Sequence, residues 1–375
     1  MSKIRFLGLD VHADTIAVAV AESDGEVRRF GVIPNQWEAV RRMVKKLGPN
    51  SELRACYEAG PTGYVLFWQL TGLGVACQVV APSLVPTKAG DRVKTDRRDA
   101  EKLARCCRAG DLTAVWVPDA AHEALRDLVR AREDAKHDQL RARHRLSKFL
   151  LRHGRRPSVK MKSWTQMYMA WVKRNVHFEE PALEATLLDY VQEVEHAAER
   201  IQRLEKAIAE AIEKSAPELR AVVAALQALR GIAMLTAVTI IAELGILSRF
   251  LSPRQLMGYS GLVPSEFSSG NRVQRGKITK TGNAHSAARR RGGGLGLSAS
   301  AVGRRLPGKK AKGARSGDHR DGLEGPASLA RTIQETSKGK NKNQIVTAVG
   351  RELLGFIWAI AVRIEGKFAA GAAAA

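Results

Sequence analysis

Four carboxylates in the N-terminal third could hold a hard cation. Asp10 closes the apolar run IRFLGLD, Glu58 stands near the end of ELRACYEAG, and Asp96 and Asp99 lie three apart in KTDRRDAEKLAR. A spacing of three puts the last two on one face of a helix. Carboxylates brought together repel unless a cation lies among them. Oxygen ligands suit Mg²⁺, and two such ions can clamp the attacking and leaving oxygens of a phosphodiester. Taken singly, each acid has a simpler reading. Asp10 could cap a turn, Glu58 could be a solvated strand end, Asp96 could be a helix N-cap, and Asp99 could pair with a neighbouring arginine. Taken together, Asp10 and Glu58 close apolar strands, where the ligand sites of open α/β sheets gather. Lys94, Arg97 and Arg98 frame the second pair with charge suited to phosphates.

A second constellation is the run GLVPSEFSSGNRVQRGKITKTGN. Its glycines let backbone approach a phosphate closely, and Arg272, Arg275 and Lys277 could hold phosphate oxygens. Serine is a poor nucleophile without a base or a metal, and the nearest following histidine, His285, is sixteen residues beyond Ser269. From these residues alone, the loop is better read as binding a backbone without chemistry.

The elements that must position these groups follow from periodicity. Residues 4–33 read as three strands, with SDGE as a hairpin turn. Residues 36–47 place Trp37, Val40, Met43 and Leu47 on one helical face. A fourth strand, a helix stopping at glycine and a fifth strand (VACQVVAP) follow, giving β-β-β-α-β-α-β, an α/β layout. The second half of 88–110 is helical. Residues 119–152 form a long basic helix whose Arg126, Arg130, Arg141 and Arg145 are candidate nucleic-acid contacts. Residues 182–213 show near-heptad spacing, which fits either a coiled coil between chains or packing within one. Residues 286–320 hold ten Lys or Arg, one acid and eight glycines without apolar periodicity, a composition expected to be disordered. Residues 344–364 return to a clean apolar helix.

Composition points the same way. The chain has 375 residues, 61 Lys and Arg against 38 Asp and Glu, and a net charge of +23. Such an excess calls for a polyanionic partner, nucleic acid before membrane. The four cysteines form no CxxC or zinc spacing and read as reduced thiols. No apolar run reaches the ~20 residues of a membrane span; the best, 232–247, is short and holds Glu243. With no signal sequence at MSKIRFLGLD, the expected location is cytoplasmic.

The motifs are also specific as text. FLGLDVHADTIAVAV, YEAGPTGY and VVAPSLVPTKAGDRVKTDRRDAEKLAR resemble the N-terminal domain of the DEDD transposases of the insertion sequence 110 family. The stretch from ALRGIAMLTAVTIIAELG through GLVPSEFSSGNRVQRGKITKTGNAH resembles that family's second domain. The resemblance covers residues 4–285 and again about 338–365. It implies an α/β RNase H-like (RuvC-like) domain over 1–155, a long helical coiled-coil linker over 156–218, and a mainly α, serine-bearing domain over 219–285. A helix-hairpin-helix-like segment in that last domain would turn at Gly231, and a C-terminal helix would follow at 338–365. Residues 286–337 depart from the pattern and read as a disordered or frameshifted segment.

The resemblance further implies that Asp10, Glu58, Asp96 and Asp99 bind Mg²⁺. Ser269, with Ser268 as the alternative register, would be the nucleophile that forms a phosphoserine link to DNA. A bridge RNA would guide the reaction, and dimers would assemble into a tetramer. Two rival readings stand beside it: an RNase H-fold nuclease or junction resolvase using metal-activated water, and a degenerate copy that only binds nucleic acid.

Overall fold

The computed structural model describes residues 4–86, 95–229, 231–279 and 342–374. Lys94, His285 and the interval 286–337 lie outside the described residues. The chain divides into two compact units, Met1–Pro118 and Asp119–Ala375.

The first unit is built on a five-stranded sheet of order β3-β2-β1-β4-β5. Its strands are β1 (Arg5–Val11), β2 (Thr15–Glu22), β3 (Val27–Pro34), β4 (Leu53–Glu58) and β5 (Ala76–Val80). The first three pair antiparallel, and β1-β4 and β4-β5 pair parallel. This mixed α/β sheet is compatible with an RNase H-like domain.

Strand β2, TIAVAVAE, shows how the two faces are assigned. Successive side chains point to opposite faces, so Ile16, Val18 and Val20 enter one layer and Ala17, Ala19 and Ala21 the other. The bulky layer is covered by α1 (Trp37–Leu47) and α2 (Val65–Gly72), through Val40, Met43, Val44, Leu66 and Leu70. The alanine layer is covered by α3 (Asp96–Ala109), through Ala100 and Ala104. Small residues on both sides let α3 sit close. At Gly8 an added Cβ would lie 2.1 Å from the Ala100 carbonyl oxygen and 2.3 Å from the Ala104 nitrogen. Only glycine permits this approach of helix to strand.

The second unit begins with two long helices, α4 (Ala120–Arg152) and α6 (Pro181–Glu213), with the short α5 (Gln166–Asn175) between them. The long helices run antiparallel, because Arg132 meets Glu205 while Arg200 meets Asp138. The apolar stripe of α6 packs within the chain. Leu187, Val191 and Val194 join Leu146, Phe149 and Leu150 of α4, and Ile208 and Ile212 join a larger core. That core also takes in α7 (Pro217–Leu226), α8 (Met234–Leu244), α9 (Pro253–Tyr259) and α10 (Lys342–Ala374). Between α7 and α8 the chain turns through Gly231 at φ +95°. Helix α10 is anchored by polar contacts: Glu365 accepts the backbone N–H groups of Leu247 (3.0 Å) and Ser248 (2.7 Å), and the Trp358 indole donates to the Phe250 carbonyl at 2.9 Å. A two-stranded hairpin, β6 (Pro264–Glu266) and β7 (Arg275–Ile278), follows α9.

A carboxylate cluster and a serine hairpin

Asp10 and Glu58 reach the same face of the sheet by register. Strands β1 and β4 run parallel with Gly8 opposite Cys56 and Leu9 opposite Tyr57. Leu9 and Tyr57 enter the bulky core, so the residues on either side of them face the other way. Gly8 lies under α3, and the Cys56 thiol donates to the Leu103 carbonyl of α3 at 3.5 Å. Asp10 and Glu58, two residues further along each strand, therefore end on the α3 side.

The first turn of α3 supplies the other two acids. Thr95 is the N-cap, its hydroxyl accepting from the Arg98 N–H at 3.4 Å, so Asp96 is not needed for capping. Asp96 and Asp99 are helical residues of the first turn, where the helix dipole favours negative charge. Asp10 Oδ2 lies 3.3 Å from His12 Nε2, and the same nitrogen lies 3.6 Å from Asp96 Oδ1. Ligand atoms of Asp10, His12 and Asp96 all fall within 4.8 Å of one another. Partial burial pushes the Asp10 carboxyl above the usual aspartate range. His12 counteracts this, and the charges of Asp96 and Asp99 add to it. These acids thus lie close enough to repel, and the donor set of oxygens with one imidazole fits a divalent cation.

His12 escaped the sequence reading. The available signal was its two-residue separation from Asp10 at the end of a strand, which puts both side chains on one face. Arg97 and Arg98 are exposed on the same first turn of α3.

Ser269 sits in the second unit, at the tip of the β6-β7 hairpin. Its backbone exchanges both hydrogen bonds with Arg272 at 3.1 Å, leaving Gly270 and Asn271 as the two-residue turn. Gly270 takes φ +56°, the positive angle that primed hairpin turns require at their first central position. With Glu266 opposite Arg275 and Ser269 opposite Arg272, the faces alternate. One face carries Phe267, Ser269 and Arg272. The other carries Glu266, Ser268, Val273 and Arg275 and is closed on itself. The Ser268 hydroxyl donates to Glu266 Oε1 at 2.7 Å and accepts the Gln274 N–H at 3.2 Å, and Arg275 lies 3.7 Å from Glu266 Oε2. Among the described residues the Ser269 hydroxyl has no such partner. Residues 266–277, including Arg272, Arg275 and Lys277, are all exposed.

The arginines of α4 divide into two groups. Arg126 is buried and donates to the Ala242 carbonyl at 2.8 Å, capping the end of α8. Arg130 forms a two-pronged pair with buried Glu243 at 2.9 and 3.0 Å. Arg126 is thus turned away from solvent, and Arg130 keeps partial exposure while paired with Glu243, where the basic-helix reading expected both to face a nucleic acid. Periodicity cannot reveal a buried acid on another helix. Arg141 and Arg145 are exposed.

Comparison with known proteins agrees with this architecture. A DEDD transposase model of the IS110 family matches residues 7–154, and a model described as the IS116/IS110/IS902 transposase family matches residues 223–288. A Sinorhizobium fredii protein named as a transposase, y4qE, is 43% identical over 367 residues, covering 95% of this chain and 88% of its own. The transposase for insertion sequence element IS1533 of Leptospira borgpetersenii is 36% identical over 65% of this chain and 70% of its own. The transposase for insertion sequence element IS1111A of Coxiella burnetii is 22% identical over 76% and 75%. No described helix is long and apolar enough to cross a membrane. With two family models in order along the sequence and a relative this similar over most of both chains, the chain belongs to the IS110 family of transposases.

Proposed function

We propose that this transposase cuts and rejoins DNA strands with two tools, a cation-binding carboxylate cluster in the first unit and Ser269 in the second. The observation that carries the reading is the convergence of Asp10, His12 and Asp96 within 4.8 Å, with Glu58 on the same sheet face and Asp99 in the same helical turn. Asp10, Glu58, Asp96 and Asp99, with His12 beside them, would hold Mg²⁺. When bound, the cation supplies charge neutralisation for the phosphate oxygens.

The remaining chemistry belongs to the chain. Ser269 Oγ attacks phosphorus, forming a phosphoserine ester. The P–O bond to a sugar oxygen breaks, and that oxygen leaves with the electron pair and takes up the proton the serine gives up. Arg272, on the same hairpin face, holds the phosphate oxygens, and Arg275 and Lys277 extend the contact along the backbone. Attack of the freed strand's partner hydroxyl on the ester reverses the step and joins DNA. The α7-turn-α8 segment is taken as a backbone contact. The domain division over 1–155, 156–218, 219–285 and 338–365, the bridge RNA guide and the dimer-to-tetramer assembly rest on the motif resemblance.

The test uses the full-length chain, DNA carrying the element ends, its guide RNA and Mg²⁺. The expected product is a covalent protein–DNA adduct that disappears in Asp10→Asn, Asp96→Asn and Ser269→Ala. Cleavage that persists in Ser269→Ala would support a water-using nuclease instead. Cleavage that persists in both Asp variants would remove the cation cluster from the mechanism.

A further inference from the structure

Helices α4 and α6 enclose a cleft of about 400 Å³ along one edge of their pair. Arg141 and Arg145 line it from α4, and His196, Arg200 and Arg203 line it from α6. Among the described residues, two carboxylates, Asp138 and Glu193, share the lining. Asp138 is held between both walls: Arg200 Nη1 donates to its Oδ2 at 2.8 Å, and Arg141 donates to its Oδ1. One anion therefore fixes the orientation of two guanidiniums and neutralises at most one of them.

Two other arginines of α4 are treated differently. Arg132 has its own carboxylate in Glu205, and Arg130 has its own in Glu243. Elsewhere α6 is mainly acidic, yet both of its arginines, Arg200 and Arg203, line this cleft. Four guanidiniums facing two carboxylates in one concavity repel one another until an anion enters. Their planar forks match phosphate oxygens. Arg141 and Arg145 are separated by about 6 Å of helix rise, so they address different phosphates along a strand rather than a single ion.

We propose that this cleft grips the sugar-phosphate backbone of a nucleic acid bound by the transposase, with Arg145 and Arg203 as the principal contacts and Asp138 as the residue that orients Arg141 and Arg200. The proposal extends the expectation that Arg141 and Arg145 touch nucleic acid, and it rests on that expectation. It adds an opposite wall from α6, and it does not depend on Ser269 or the carboxylate cluster.

The experiment measures binding of the full-length protein to labelled duplex DNA and to a structured RNA of equal length across a KCl series. In the double variant Arg145→Gln/Arg203→Gln, affinity is expected to fall about tenfold or more, and the log–log salt slope to become shallower by roughly 1–2 on the nucleic acid that occupies the cleft. A loss confined to one probe identifies DNA or RNA as the occupant, and a loss on both identifies the shared backbone. Unchanged affinity on both probes overturns the proposal. So does weaker binding with an unchanged slope, because no phosphate contact has then been removed. If the double variant fails to fold, Glu193→Gln carries the test: tighter binding with a steeper slope supports the cleft, and no change overturns it. Ser269→Ala, run in parallel, reports on the catalytic reading by loss of strand joining with binding retained, so the two readings fail separately.

Discussion

Ser268 donates its hydroxyl hydrogen to Glu266 at 2.7 Å, whereas its neighbour Ser269 projects from the opposite face of the same hairpin. Adjacent residues in a strand cannot share a face, so only one of the two serines can accompany Arg272 toward a phosphate. Ser269→Ala is expected to abolish covalent attachment to DNA, a loss of at least about a thousandfold. Ser268→Ala should retain it within about tenfold, since it removes a hydrogen bond worth about 1 kcal/mol on an exposed turn. Trapping of the adduct on denaturing gels checks both. The reverse ranking would assign the nucleophile to Ser268.

Gly8 controls how near α3 comes to the sheet, and α3 carries Asp96 and Asp99. Gly8→Ala places a methyl group against backbone atoms that cannot rotate away. We expect a destabilisation of about 1–3 kcal/mol, the ordinary cost of overpacking, together with weaker Mn²⁺ or Mg²⁺ binding as the helix is pushed from Asp10. Calorimetric titration alongside thermal unfolding checks this. Wild-type cation affinity in the variant would show that the close approach does not set the cluster.

Arg130 and Glu243 form a paired charge inside the second unit, with Glu243 almost fully buried. Removing one member leaves the other charge without its counterion. Arg130→Met is therefore expected to cost about 3–5 kcal/mol, and replacing both residues with apolar ones of similar size to cost much less. Denaturant unfolding of the two single variants and the double variant measures the difference. Equal losses in single and double variants would refute this account.

Glu184 ties the start of α6 to the segment before it. The Phe178 N–H donates to its carboxylate at 2.9 Å, and this bond, with His177 beside it, lowers the Glu184 carboxyl below the usual range. A carboxylate with a depressed folded-state value contributes stability that is complete above its unfolded value and is lost as pH falls through the folded one. Glu184→Gln should therefore lower the melting temperature at neutral pH and make little difference in acid below both values. A constant difference across that range would contradict the assignment.

Much of this was legible in the sequence. Alternation in TIAVAVAE, the runs around Asp10 and Glu58 and the three-residue spacing of Asp96 and Asp99 define the strands and the helix, because side-chain period is a local property. The long α4 and α6 were legible for the same reason. The helices α5, α7 and α9 are short, and their apolar positions make sense only against the partners they pack on. His12 has no role legible along the chain, because its imidazole joins the acids only once α3 brings Asp96 beside it.

The order of elements, the chemistry available and the family depend on residue types and spacing along one chain, so they are set before folding. The tertiary structure decided which groups face one another. Parallel pairing of β1 with β4 brings Asp10 and Glu58 to one face, and glycine contact at Gly8 brings α3 to meet them. The hairpin register separates Ser269 from Ser268. The fold also turned Arg126 and Arg130 inward to α8 while leaving Arg141 and Arg145 opposite Arg200 and Arg203. A charged side chain reads alike in sequence wherever it ends, and its role is fixed by whether the fold supplies a buried partner or open solvent.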